Sequence, residues 1–381
     1  MAGIYVHLPF CPYLCPYCDF AKWPYRRSQA RRYVDALLRE IAAAPRVPGE
    51  TAFLGGGTPN TLAAEDVTAI LRAVRERFAL PAGAEISMEA NPDAGSFDGF
   101  QAYVESGVTR FSIGVQSFDP HELRTLGRRH TAQDVAACVA AARAAGARSI
   151  GIDLIFAVPG QTVDSWRHSV SSALALGVDH VSCYGLTVED GTPYAAWRER
   201  EPAAFLGDAA EAELYAAAID ALEGAGLEHY EISNFARPGH RCAHNANYWQ
   251  NGEYLGLGVG AASYLDGERS VATRSLEAYC AAIDGGEAAP RERERLSGQA
   301  AAGEAAMLLL RTAEGVDVPS FKQRYGVDLL SSYRPAISRL EDAGLIVASG
   351  RRIALTPRGR FLANDVCAEF LTTPAGVEDQ P

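Results

Sequence analysis

The chain lacks an excess of positive charge, a long apolar run and a second pair of closely spaced cysteines, and each absence removes a class of function. Its 381 residues carry a formal net charge of −12, with a pI near 5.2. That balance argues against a nucleic-acid surface, because phosphate recognition needs a basic footprint. A local basic pocket for a small anion stays open. No apolar stretch approaches the length of a membrane span. The opening "MAGIYVHLPF" has no basic run of the kind that begins a secretory signal, so the expected compartment is the cytoplasm. In that reducing setting eight cysteines do not imply disulfides. Cys138, Cys183, Cys242, Cys280 and Cys367 stand singly and read as small apolar core residues.

What is present is a repeated strand–helix pattern. Residues 3–10, 51–57, 84–92, 110–117, 149–160 and 180–188 read as strands from their β-branched and aromatic content. Helices are expected at about 28–44, with Ser28 as N-cap, through "AAEDVTAILRAVRERF" (63–78), from Ser96 to Gly107, after Thr131, over 163–176 and over about 206–225. Six such units predict an α/β fold with a parallel sheet and right-handed crossovers. Six is fewer than the eight of a closed barrel, so a partial (β/α)6 barrel is expected. A doubly wound open sheet is the competing arrangement. One more strand is expected within 227–236, followed by a loop-rich, glycine-rich stretch. "RERER" (291–295) alternates sign and reads as a solvated segment. From 297 the pattern turns helical and ends as helix, hairpin and helix, like a small winged-helix domain. The expected division is a core over 1–235, a connecting region over 236–296 and a C-terminal domain over 297–375.

"CPYLCPYC" (11–18) puts three thiols in eight positions, after the first strand. A structural zinc site wants four ligands, usually in two separated pairs. Cys15 and Cys18 alone could be a redox pair, which leaves Cys11 unexplained. A [4Fe–4S] cluster with three protein ligands and one open iron uses all three. In strand–helix barrels chemistry gathers at the C-terminal ends of the strands. There lie "GGGTP" (55–59) after the second strand, Glu89 on the third, Gln116 on the fourth and Asp153 on the fifth. Singly, each is a turn glycine or a satisfied polar residue. With the thiols they outline a cofactor site.

The Cys11-x3-Cys15-x2-Cys18 spacing resembles the signature of radical S-adenosylmethionine (SAM) proteins. "IYVHLPFC", "GGGTPNTL", "MEANP", "SIGVQSF", "LGRRH", "DLIFAVPGQT", "HVSCYGLTVEDGTPY" and "LTPRGRFLANDV" resemble the HemN/HemW group within that superfamily, from about residue 3 to about 372. The resemblance implies that Cys11, Cys15 and Cys18 ligate the cluster, with Tyr5 and Tyr17 packed beside it. It implies that backbone at Gly56, Gly57 and Thr58 meets the SAM amino group, and that Glu89, Gln116, Arg128 and Asp153 hold other parts of SAM.

Two branches share these words. The coproporphyrinogen III dehydrogenases carry a fourth cysteine two residues after the third and an N-terminal extension. Here that position is Phe20, and ten residues precede Cys11. Both departures look like the heme-chaperone branch, as does "HNANYW" (244–249), which matches its HNxxYW motif. His244 offers an imidazole to heme iron, and Tyr248 and Trp249, beyond Asn245, offer flat apolar surface. The competing reading is that these side chains pack the loop against the barrel. Ala262 stands where the group often has histidine, and Ala157 where it often has glycine. Gly256, Gly258 and Gly260 resemble a nucleotide-binding turn, but read better as a close backbone approach to the core. The resemblance thus implies a carrier that binds a [4Fe–4S] cluster, SAM and heme and passes heme to an acceptor protein such as a respiratory enzyme. It would meet a membrane only through that acceptor, bind no nucleic acid and act as a monomer or homodimer. Oxygen-independent oxidation of coproporphyrinogen III is the alternative.

Overall fold

A computed structural model describes residues 1–94 and 96–371. The last four positions of the expected C-terminal domain, 372–375, lie outside the described residues.

The six expected strands are β1 (Ala2–Leu8), β2 (Gly49–Gly56), β3 (Ile86–Ala90), β4 (Arg110–Gln116), β5 (Ser149–Phe156) and β6 (His180–Gly185). They pair in chain order and all in parallel. Strands covered on both faces need continuous rather than alternating apolar residues. β1 and β5 show this, with one half-buried position each, Tyr5 and Asp153. Helices α1 (Arg27–Ala43), α2 (Ala64–Arg77), α3 (Phe97–Glu105), α4 (Ala132–Ala144) and α5 (Val163–Ala175) return the chain between the strands. Ser96 and Thr131 cap α3 and α4 as expected, the latter through a reciprocal capping box with Asp134. Ser28 does not cap α1. The helix begins at Arg27, with no side-chain cap on Arg26, and is held by its buried face of Tyr33, Leu37 and Ile41.

The stretch expected to be loop-rich extends the same sheet. β7 (Glu228–Glu231) and β8 (Asn234–Ala236) are two strands rather than one, and β8 adds antiparallel to β6. A short helix, α6 (Ala243–Trp249), carries the HNANYW motif. β9 (Tyr254–Leu257) then pairs in parallel with the other edge of β1, as a seventh parallel strand. β10 (Ala262–Leu265), β11 (Glu268–Ala272) and β12 (Arg291–Arg295) follow antiparallel. The twelve-stranded order is β12-β11-β10-β9-β1-β2-β3-β4-β5-β6-β8-β7, and its two ends do not pair. The barrel is therefore open.

"RERER" is this sheet's outer strand, four of its five residues exposed. Alternating charge on an edge suits a surface that must not recruit another strand. Gly256 passes so close to the Ala262 carbonyl that a Cβ would overlap it, which supports the close-approach reading of that glycine. A second hydrophobic cluster, from Ala302 to Phe370, is built on a helix (Gly298–Leu310), a three-stranded antiparallel sheet and flanking helices.

Ala157, the residue after β5, has φ of +62°. The left-handed region costs a residue with a Cβ about 1–2 kcal/mol. Replacing Ala157 with glycine should remove that strain at a smaller cost in unfolded-chain entropy. Ala157→Gly is expected to stabilise the chain by about 1 kcal/mol in urea unfolding. A loss of stability would contradict the strain argument.

Candidate functional site

The cysteine loop is pinned at both ends. The Trp23 N–H donates to the Pro9 carbonyl and the Tyr25 N–H to the Cys11 carbonyl, each at 2.8 Å. Inside this loop the Lys22 ammonium donates to the Cys18 carbonyl. Cys11, Cys15 and Cys18 line one cavity of about 360 Å³, within the range usual for small-molecule sites. Among the described residues no three His, Cys, Asp or Glu side chains converge as they would on a single metal ion. Cys11 is buried, and burial pushes its thiol up to about 11 against a hydrogen bond from Thr58 that lowers it. Metal binding there must therefore expel a proton.

The "LGRRH" stretch packs onto this loop. Gly127 lies against the Pro16 ring and the Arg129 guanidinium lies 4.8 Å from the Tyr13 ring centre. Arg128, buried, donates through Nη1 to Cys15 Sγ at 3.6 Å and through Nη2 to Asn91 Oδ1 at 2.8 Å. Asn91 Nδ2 donates on to Thr58 Oγ1 at 3.2 Å. A chain of hydrogen bonds thus runs from Cys15 to the glycine turn. Asn91 was not singled out from the sequence. Its signal was available, since it lies two residues beyond Glu89 and so shares its face of the strand.

The glycine turn spends its N–H groups internally. Gly56 donates to Glu89 Oε2, Gly57 to the Leu8 carbonyl and Thr58 to the Phe10 carbonyl, at 2.9 to 3.0 Å. None of these three backbone N–H groups is left for an anion, which suits a turn that meets an ammonium. The Glu89 carboxyl is withdrawn from water, which, with the charge of Asp153, lifts it to about 7 against the Gly56 N–H. Asp153 is also raised by burial, opposed by hydrogen bonds from Ser182 and Ser112. Ser112 Oγ lies 2.9 and 3.0 Å from the two Asp153 oxygens, and Ser182 is the registered partner of Asp153 on β6. Gln116 reaches the cavity from a bulge in β4, at φ of +69°.

Tyr17 also lines this cavity. Tyr5 instead faces a second cavity of about 520 Å³, which shares Asp19, Phe20, Gly56 and Glu89 with the first. Phe20 is 60% exposed at the rim common to both. Of the HNANYW residues, Tyr248 lines the second cavity, as does Ala262.

His244 is fully buried. Its Nδ1 lies 2.8 Å from Thr51 Oγ1 and its Nε2 lies 2.8 Å from Tyr248 Oη. Burial drops its basicity to about 3, so it is neutral. Glu85 accepts from the N–H groups of Ala243 and His244 at 3.0 Å, at the positive end of α6. Asn245 is half-buried on α6. Trp249 faces the C-terminal domain, its ring beneath the Arg311 guanidinium at 5.3 Å. Arg324 of that domain donates to the Gln250 and Asn251 carbonyls at 2.9 and 2.6 Å.

Comparison with known proteins places this geometry. Residues 5–173 match the radical SAM superfamily and residues 296–362 the HemN C-terminal domain. A heme chaperone HemW of Bacillus subtilis is 34% identical over 97% of this chain and 99% of its own length. The chain belongs to the HemW family. A second HemW, from Mycobacterium tuberculosis, is 35% identical over 97% of this chain and 94% of its own. The structure of the Escherichia coli coproporphyrinogen III oxidase HemN, a radical SAM enzyme, superposes with a TM-score of 0.86. It is 26% identical, over 97% of this chain and 90% of that one.

Membership of this family implies a [4Fe–4S] cluster and SAM, and the residues present fit both. Three thiols line one cavity with a buried guanidinium, and Arg128 Nε is buried without a hydrogen-bond partner among the described residues. An orphaned donor of that kind is expected where a ligand completes the set. Among the described residues no helix is long and apolar enough to cross a membrane.

Proposed function

We propose that the chain is a heme carrier. Cys11, Cys15 and Cys18 hold a [4Fe–4S] cluster. Carbonyls of the Gly56–Thr58 turn, with Glu89, Gln116, Arg128 and Asp153, hold SAM beside it, and Tyr17 walls the site. When bound, the reduced cluster supplies the electron that can split SAM; this chain's residues orient the nucleoside and keep water from the thiols. SAM has a structural, regulatory or reactive part in the carrier. The carrier passes heme to an acceptor protein such as a respiratory enzyme, and meets a membrane only through it. The observation that carries this reading is the end-to-end similarity to proteins named heme chaperones, at 34–35% identity. Phe20, in the place of a fourth cysteine, supports it.

The likeness to HemN favours a second reading, oxygen-independent coproporphyrinogen III oxidation. One preparation separates the two. Anaerobically reconstituted protein should bind heme saturably, and should form no protoporphyrinogen IX when given SAM, a reductant and coproporphyrinogen III. Product formation without saturable heme binding would reverse the assignment.

A further inference from the structure

His244 and Tyr248 are four residues apart, so both lie on one face of α6. That face is turned to the barrel, and the two side chains meet at their tips, but only Tyr248 reaches a cavity wall. The imidazole lies between Thr51, the Phe53 ring at 5.4 Å and Gly3, and both its nitrogens are occupied. It lines neither of the two cavities at the barrel mouth. Tyr248 lines the second cavity, its ring edge-on to Tyr254 at 4.7 Å. Burial raises the Tyr248 phenol well above its usual range, and Tyr254, Cys242 and Glu89, which lines the same cavity, add to the shift, so the phenol ionises there only against a bound cation.

That cavity has the make-up of a site for a flat, apolar macrocycle with acidic edges. Tyr5, Tyr254, Val271 and Leu308 supply its apolar walls, and Arg274 reaches it from the surface. Arg274 donates to the Asp19 carbonyl and has no carboxylate partner among the described residues. Its charge is therefore available to a ligand carboxylate.

We propose that Tyr248 is the residue of the HNANYW motif that ligates the iron of ferric heme, through its phenolate oxygen, and that His244 is its positioning residue. The inference rests on the heme-carrier reading and names the ligand within it. Phenolate is an established axial ligand of heme iron. As the iron–oxygen bond forms, the phenol O–H bond breaks, and the proton leaves on the hydroxide that ferric heme gives up, as water. The two contacts of His244 serve the phenolate when the ring proton sits on Nε2. Thr51 then donates to Nδ1, and Nε2–H donates to the phenolate oxygen. A neutral imidazole held this way supplies a donor without a buried cation.

The test is hemin titration of the full chain, prepared anaerobically, followed by absorption and electron paramagnetic resonance. Wild type is expected to show the high-spin ferric phenolate signature. Tyr248→Phe keeps the ring against Tyr254, and should lose that signature and bind hemin at least about tenfold more weakly. His244→Gln retains a donor, and should keep the signature with its charge-transfer band shifted. A wild-type spectrum of nitrogen ligation that survives Tyr248→Phe and vanishes in His244→Gln would overturn the proposal while leaving the carrier reading intact. Absence of saturable binding in all three proteins would overturn both. Thermal unfolding of each variant shows that the altered spectra come from folded protein.

Discussion

Replacing Cys15 with alanine should empty the cluster site, taking bound iron from about four atoms per chain to less than about a tenth of that. The reason is the number of donors. A cluster that keeps one iron open has three protein thiolates and no spare, and the described residues bring no other cysteine to this cavity. Arg128 will not substitute, because a guanidinium donates and cannot ligate. It will lose its own sulfur contact, 3.6 Å away. The same loss is expected for Cys18→Ala and Cys11→Ala. Cys183→Ala is the control, since Cys183 is buried in the core, 1% exposed, and should cost stability without costing iron. Iron and sulfide analysis after anaerobic reconstitution checks this. An alanine variant at position 15 that still holds a full cluster would place the cluster elsewhere.

The second large effect concerns Gly57. A Cβ at this position would lie 2.7 Å from the Leu8 carbonyl oxygen, 2.7 Å from the Pro9 carbonyl carbon and 2.8 Å from the Phe10 nitrogen. All three are backbone atoms, so no rotamer change relieves the overlap. The Gly57 N–H donates to that same Leu8 carbonyl at 3.0 Å, so the approach is part of how the turn is held. Gly57→Ala should cost about 3 kcal/mol, lowering the melting temperature of the cluster-free chain by on the order of 4 °C. Pushing Pro9 and Phe10 also shifts the start of the cysteine loop, so cluster assembly should fall with it. Gly207→Ala meets nothing within 4 Å and should stay within about 0.5 kcal/mol of the parent. Equal melting temperatures for the two variants would show that the turn tolerates a side chain.

Much of the site was legible because its parts are short and local. Three thiols in eight positions, and a glycine run after a strand, carry their meaning within a few residues. β-Branched and aromatic content placed all six barrel strands, and helical periodicity placed most helices. What was not legible depends on partners distant in the chain. β9 is four residues long and owes its place to an edge of β1 about 250 residues earlier; "YLGL" alone reads as loop. "RERER" advertises solvent, and solvent is where it lies, but its backbone needed β11 to become a strand. The packing of "LGRRH" onto the cysteine loop likewise joins segments more than 100 residues apart.

The HNANYW motif marks the boundary between the two kinds of information. Sequence by itself determined that the chain carries three cysteines in eight positions after its first strand, a parallel strand–helix core and a histidine four residues before a tyrosine. Those follow from local spacing, from strand-forming composition and from the period of the helix. Only the tertiary structure decided which of the two faces a cavity. Helical spacing puts His244 and Tyr248 on one face, and the barrel's Gly3, Thr51 and Phe53 then enclose the imidazole while Tyr248 is left at the cavity wall. The cause is packing between segments some 200 residues apart, which no local pattern encodes.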